Sequence, residues 1–145
     1  MPLDTLFQIA SITAMLGWLV LLISPWAPRF ADRVSGIAIP LLLSIGYAVG
    51  VVAFWGLGEG GFDTLDNVAK LFTTREVVLV GWVHFLAFDL FVGAWEVRTA
   101  RRDAIPFLLV VPCLVLTFLV GPLGLALFLA LRFAMRRKLF LEATS

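Results

Sequence analysis

Two side chains stand out in the stretch GWVHFLAFDLF, Gly81 to Phe91. His84 is the only histidine of the chain, and Asp89 follows it five residues later among Trp82, Phe85, Phe88 and Phe91. An imidazole and a carboxyl group are side chains suited to general acid–base work. A carboxylic acid withdrawn from water keeps its proton and can deliver it to a substrate. Both groups lie near the middle of a long apolar run. An ionised carboxylate at that depth in a membrane costs about 2.5–3.5 kcal/mol on insertion scales. Such a side chain reads as functional, turned toward a partner or cavity inside a helix bundle. Asp89 and His84 are therefore the candidate catalytic residues. At about 100° per residue they stand about 140° apart around a helix. They flank a wedge, and each is expected to meet a neighbouring helix or to border a shared cleft.

Asp89 shares its helix face with Trp82, Phe85, Leu86, Val92, Gly93 and Glu96. Glu96 lies two turns away beside Arg98, and reads equally as a solvated interfacial carboxylate or a functional one. Thr13, Tyr47 with Ser44 one turn away, and Thr117 fall at similar depth in the other apolar runs, which implies a polar layer near the bilayer midplane. Trp82, Tyr47, Phe85, Phe88 and Thr117 are the candidate substrate-binding residues, the aromatic ones able to line a slot for a flat apolar ligand. The plain alternatives are that Ser and Thr bond their own helix carbonyls, that the phenylalanines pack helices, and that Trp18, Trp26, Trp55, Trp82 and Trp95 form an interfacial belt.

The elements that hold these groups are apolar spans. The 145-residue chain is 61% hydrophobic, with a mean hydropathy of +1.03, against roughly 45–50% apolar in soluble domains. Four runs stand out, about Leu6–Ile23, Ile37–Leu57, Val77–Val97 and Ile105–Leu131. Each meets the roughly 20 residues that a helix needs to cross the hydrocarbon. None alternates as a barrel strand would. The expectation is one all-α, multi-pass membrane domain over residues 1–145, a four-helix bundle in an inner membrane. Its N-terminus MPLDT lacks the basic residues of a cleaved signal. SPWAPRFADR (Ser24–Arg33) reads as a joint, because its two prolines disfavour helix continuation. Between the second and third spans, Leu65, Val68, Ala69 and Phe72 recur at helical spacing, which predicts a short interfacial helix. GPLG (Gly121–Gly124) should break or bend the fourth span near one face.

Four crossings would put Lys70, Arg75, Arg132, Arg136, Arg137 and Lys138 on one side and Arg29, Arg33, Arg98, Arg101 and Arg102 on the other. That division does not orient the chain. Gly46 and Gly50 have the small-x-x-x-small spacing that allows close packing, including across a homodimer. The lone Cys113 in an apolar run reads as a packing thiol. A net charge of +1 carries no argument for nucleic acid.

The residue inventory excludes much chemistry. One histidine is too few for an intramembrane di-iron centre or a bis-histidine haem, and the ligand set for catalytic zinc is missing. Lys70 and Lys138 lie outside the spans, so no buried lysine offers a Schiff base. GLGEGG fits neither a P-loop nor a dinucleotide fingerprint. Neither a metal nor a cofactor is expected. Acid–base chemistry on an apolar substrate remains, or binding without chemistry. A proton or ion pathway ranks last, because four helices with few polar residues make a poor pore.

GWVHFLAFDLFVGAW (Gly81–Trp95), preceded by LFTTRE (Leu71–Glu76) and followed by GPLGLALFLALR (Gly121–Arg132), resembles the "abscisic acid deficient four"-like membrane proteins. The most specific part is W-x-H-x-x-A-x-D-L-F, on Trp82, His84, Ala87, Asp89, Leu90 and Phe91. Plant members are needed to form neoxanthin from violaxanthin. The resemblance implies a carotenoid-type polyene ligand, four membrane helices, and a reaction without a redox cofactor. In that reaction an epoxide opens and a neighbouring chain carbon loses a proton, giving an allene, work to which Asp89 and His84 are suited. No transit-peptide-like extension precedes the first span, which points to a bacterial member and leaves a related carotenoid or retinoid isomerisation open beside the plant reaction. Carotenoid-binding or scaffolding without catalysis stays open as well.

Overall fold

The computed structural model describes the backbone of residues 2–143 and the side chains of residues 2–136, so the side chains of Arg137 and Lys138 lie outside the described residues. All regular structure among them is helical. Helix α1 (Leu3–Leu22) packs against the long α5 (Arg75–Arg102) through interlocking large and small residues. Trp18 lies on Gly93, where an added Cβ would stand 2.6 Å from the indole ring, and Leu90 lies on Gly17.

The second rod begins inside the stretch that the prolines marked as a joint. Pro28 opens α2 (Pro28–Arg33), because a first-turn N–H would be unpaired in any case and the proline φ suits a helix start. A π-helical turn (Val34–Ala38) leads into α3 (Ile39–Ala53). The wide turn just precedes Pro40, whose ring would crowd the carbonyl four residues back in a regular α-helix. Ser35 ties the turn to α1 by donating to the Gly17 carbonyl at 2.8 Å.

Leu3–Leu22, Pro28–Ala53 and Arg75–Arg102 are each long and apolar enough to cross a membrane. Large side chains such as Ile12, Leu41, Ile45 and Val49 point outward. An apolar exterior on this scale suits hydrocarbon as solvent, and marks a membrane protein. The expected interfacial helix is α4 (Leu65–Leu71), capped by Thr64, whose hydroxyl accepts from the Asn67 N–H at 3.2 Å.

The fourth apolar run is not one crossing helix. It breaks at Gly121, whose φ is +49°, into α6 (Phe107–Val120) and α7 (Pro122–Ala143). Glycine enters that region at little cost, and Pro122 is suited to start a helix but not to continue one. Three contacts fix the direction of α7. Gly121 lies against Asp89, midway along α5. Phe128 meets the Trp95 ring edge-on at 5.7 Å. Arg132 donates to Asp103, just past the end of α5, at 2.6 Å. So α6 climbs from the Arg102 end to the level of Asp89, and α7 returns beside it as an antiparallel hairpin. At 14 residues α6 spans about 21 Å, short of the ~30 Å of hydrocarbon.

The base of the hairpin is pinned twice. The Ile105 N–H bonds the Ala100 carbonyl at 2.8 Å and the Ala104 N–H bonds that of Arg101 at 3.4 Å, a Schellman closure with Ile105 buried beneath it. Ala104 sits at φ 53°. Ala104→Gly should therefore raise stability by about 0.5–1 kcal/mol, read as the thermal midpoint in detergent. Asp103 gathers Arg132, Arg136 at 3.4 Å and Arg102 at 3.5 Å. The hydrogen bond from Arg132 holds its carboxyl below the ordinary 3.8. Because the folded state has the lower value, this contribution is present at neutral and mildly acid pH. It is lost only as pH falls below 3.8 through the folded-state value.

Candidate functional site

Helix α5 is the axis of the molecule and sends its polar side chains to three different neighbours. Toward the hairpin it sends Asp89 and Glu96. The Asp89 carboxylate presses on the glycine of the break, where a Cβ on Gly121 would lie 2.9 Å from Oδ1. Its Oδ2 is buried with no protein partner among the described residues. Glu96 is 0% exposed. The Thr117 hydroxyl, on α6, lies 3.0 and 3.2 Å from its two oxygens and donates to them. Thr117 is held in turn by the close approach of Gly124, where an added Cβ would run into its backbone and hydroxyl. Thr117→Val should cost about 1–3 kcal/mol, because it leaves a fully buried carboxyl without its donor, whereas Thr117→Ser should recover most of that. Thermal midpoints of the two variants in detergent compare them directly.

Toward α3, α5 sends His84. Its ring stands 5.4 Å from that of Tyr47 and 4.7 Å from that of Phe88, and both His84 and Phe88 are exposed on the outer surface. Beside them a cavity of about 410 Å³ opens between α1, α3 and α5, bounded by Leu6, Thr13, Gly46, Tyr47 and Val83 among others. A Cβ on Gly46 would meet nothing within 4 Å, while one on Gly50 would lie 2.9 Å from Val80. Of the spaced glycines, only Gly50 is used in packing within the chain.

Toward α1, α5 sends Trp82, whose indole N–H donates to the Ser11 hydroxyl at 3.0 Å. Trp82 stacks on Phe85 at 5.4 Å and lies 5.5 Å from Phe7. Thr13 bonds its own helix, donating to the Ile9 carbonyl at 2.7 Å.

Of the residues singled out in the sequence, the structure brings Asp89 and Thr117 to one place, His84, Tyr47 and Phe88 to a second, and Trp82 and Phe85 to a third. Asp89 and His84 do not meet. Glu96 joins the first group although the sequence left it undecided at the interface. Its signals were the shared face with Asp89 and a threonine at matching depth. Ending the third span at Val97 hid them, because α5 in fact runs on to Arg102 and places Glu96 well inside. The first group has the means for proton chemistry, with one partly exposed carboxyl backed by a second that is buried and bonded.

The family model described as ABA DEFICIENT 4-like matches residues 5–128. The chain belongs to this family. The matched region contains all three groups, the cavity-lining residues and both arms of the hairpin as far as Phe128. Membership in the ABA DEFICIENT 4-like family carries a role related to neoxanthin and carotenoid synthesis. No curated protein and no solved structure matches the chain.

Proposed function

We propose that this ABA DEFICIENT 4-like protein is an intramembrane carotenoid or polyene isomerase, working by acid–base chemistry without a redox cofactor. The observation that carries the reading is the Asp89 carboxyl at mid-length of α5, half-buried, with one oxygen free of protein partners among the described residues and Glu96 held behind it by Thr117. For an epoxidised polyene, Asp89 delivers its proton to the epoxide oxygen as one C–O bond opens. The carboxylate so formed takes a proton from the adjacent chain carbon, and that C–H electron pair becomes the second double bond of an allene. The epoxide oxygen ends as a hydroxyl, the formula is unchanged, and Asp89 is reset. Partial burial suits this work, since it shields the proton transfer from bulk water. In this reading the chain is a multi-pass protein of a bacterial inner membrane, with three crossings and a re-entrant α6–α7 hairpin whose tip meets Asp89.

Expression in hosts that make plain or epoxidised carotenoids, with pigments compared by chromatography, tests the reading. New isomers should appear with the native chain, and unchanged pigment profiles in every host would overturn it. The open, almost wholly apolar cavity beside Tyr47 and His84 favours a second reading, in which the protein binds polyene, alone or as a homodimer, and presents it to another enzyme. Its volume falls in the usual ligand range of about 300–1,000 Å³. Purified protein would then carry pigment without converting it.

A further inference from the structure

The end of the molecule where α1 and α5 finish contains a cleft that the polyene reading does not use. It lies between the α1–α2 turn and the α5–α6 turn, and its volume is about 220 Å³. Ser24, Arg101, Pro28, Val97, Ile105 and Phe107 line it. Ser24 is 3% exposed, and its hydroxyl has no protein partner among the described residues. A buried hydroxyl without a partner is costly, and native proteins normally supply one. Arg101 stands at the same cleft, anchored by its Nη2, which donates to both Asp32 carboxylate oxygens at 2.7 Å.

The surrounding charge is predominantly positive. Arg29, Arg33, Arg98, Arg101, Arg102, Arg132 and Arg136 gather at this end against Asp32 and Asp103. Among the described residues, Arg29, Arg33 and Arg98 have no acidic partner. Arg29 follows the cleft-lining Pro28, whereas the Arg98 guanidinium lies against Gly36 of the π-helical turn. An arginine cluster at a membrane surface recognises phosphate. The apolar part of the lining suits the glycerol and upper acyl region of a lipid more than a free ion.

We propose that this cleft binds the headgroup of an anionic phospholipid, its phosphodiester taking the Ser24 hydroxyl, Arg101 and the neighbouring Arg29 and Arg33, its upper chains lying on Val97, Ile105 and Phe107. The site lies at the membrane surface, away from Asp89, and does not depend on the isomerase reading.

The full chain in neutral detergent would be titrated with phosphatidylglycerol, with phosphatidylcholine and with inorganic phosphate, reading the thermal midpoint and the lipid retained in native mass spectrometry. Phosphatidylglycerol alone should raise the midpoint and stay bound. The Arg29→Gln/Arg33→Gln double variant changes exposed side chains, so the fold is kept, and phosphatidylglycerol affinity should fall about five-fold for each arginine removed. Ser24→Ala should leave the lipid-free midpoint unchanged or higher, since it removes a hydroxyl with no protein partner, yet weaken phosphatidylglycerol binding several-fold. An equal response to phosphatidylcholine would make the cleft an unspecific apolar groove. An equal response to inorganic phosphate would make it a free-anion site. Unaltered phosphatidylglycerol binding in Ser24→Ala or in the double variant would remove the assigned contacts. Each of these three results overturns the proposal.

Discussion

Asp89→Asn is expected to abolish isomer formation while leaving a folded protein that still takes up pigment. The amide copies the shape of the carboxyl but has no acidic proton to deliver and makes a far weaker base. Positioned general acid–base groups are worth about 10²–10⁴-fold in rate, so conversion should fall to the background of the assay. The fold should tolerate the change because Asp89 Oδ2 has no protein partner to lose among the described residues and the contact with Gly121 is one of shape. Pigment chromatography from a carotenoid-producing host, set against the amount of protein in the membrane, measures the loss, and the thermal midpoint of the purified variant checks the fold. His84→Gln is the companion measurement. His84 stands on the α3 side of α5 beside Tyr47 and Phe88. If conversion survived in Asp89→Asn but failed in His84→Gln, the chemistry would belong to that face and to its cavity. Equal losses would require a substrate that touches both faces of α5.

Much of this arrangement was legible in the sequence, for identifiable reasons. Three long apolar runs announce themselves by composition, and a carboxyl in the middle of one is anomalous enough to be noticed alone. The roughly 140° between His84 and Asp89 follows from helix periodicity, and the structure sends the two residues to different neighbours. What could not be read was contact between elements. Thr117 and Glu96 are 21 residues apart in the chain, and no local pattern pairs them. Trp82 reads as a slot-lining aromatic, and no local pattern reports that its indole N–H meets Ser11 on another helix. Leu3, Pro28 and Arg102 extend the rods beyond the apolar runs, because a helix continues through polar residues once its end has left hydrocarbon. The fourth run misled most. Hydropathy sums to a crossing across Gly121, since both arms of the hairpin are apolar and only the turn residues report the reversal.

That reversal predicts a topology different from four crossings. Four would place α4 and the C-terminal part of α7 on the same side. Three crossings and a hairpin place them on opposite sides, and they also regroup the charges. Lys70 and Arg75 remain at one end, while all seven arginines beside the cleft share the other, an asymmetry that the positive-inside rule assigns to the cytoplasm. In a Cys113→Ala background, which removes a buried thiol, single cysteines at Asp66, Arg33 and Arg136 would be probed with an impermeant maleimide. Asp66→Cys should react in intact spheroplasts, and Arg33→Cys and Arg136→Cys only after permeabilisation. Reaction of positions 66 and 136 from the same side would restore the four-crossing scheme and dismiss the hairpin. A re-entrant turn at this depth is sustainable only if its backbone is satisfied away from water. The break meets that condition. The Gly121 N–H bonds the Thr117 carbonyl at 2.9 Å, and the Gly121 carbonyl accepts from Gly124 at 3.0 Å and from Leu125 at 3.3 Å. Gly121 and Gly124 are both buried, so the turn is covered by protein. The same lack of side chains that permits this turn lets Asp89 and Thr117 close on it, and thereby brings Asp89 and Glu96 of α5 to the tip of the hairpin.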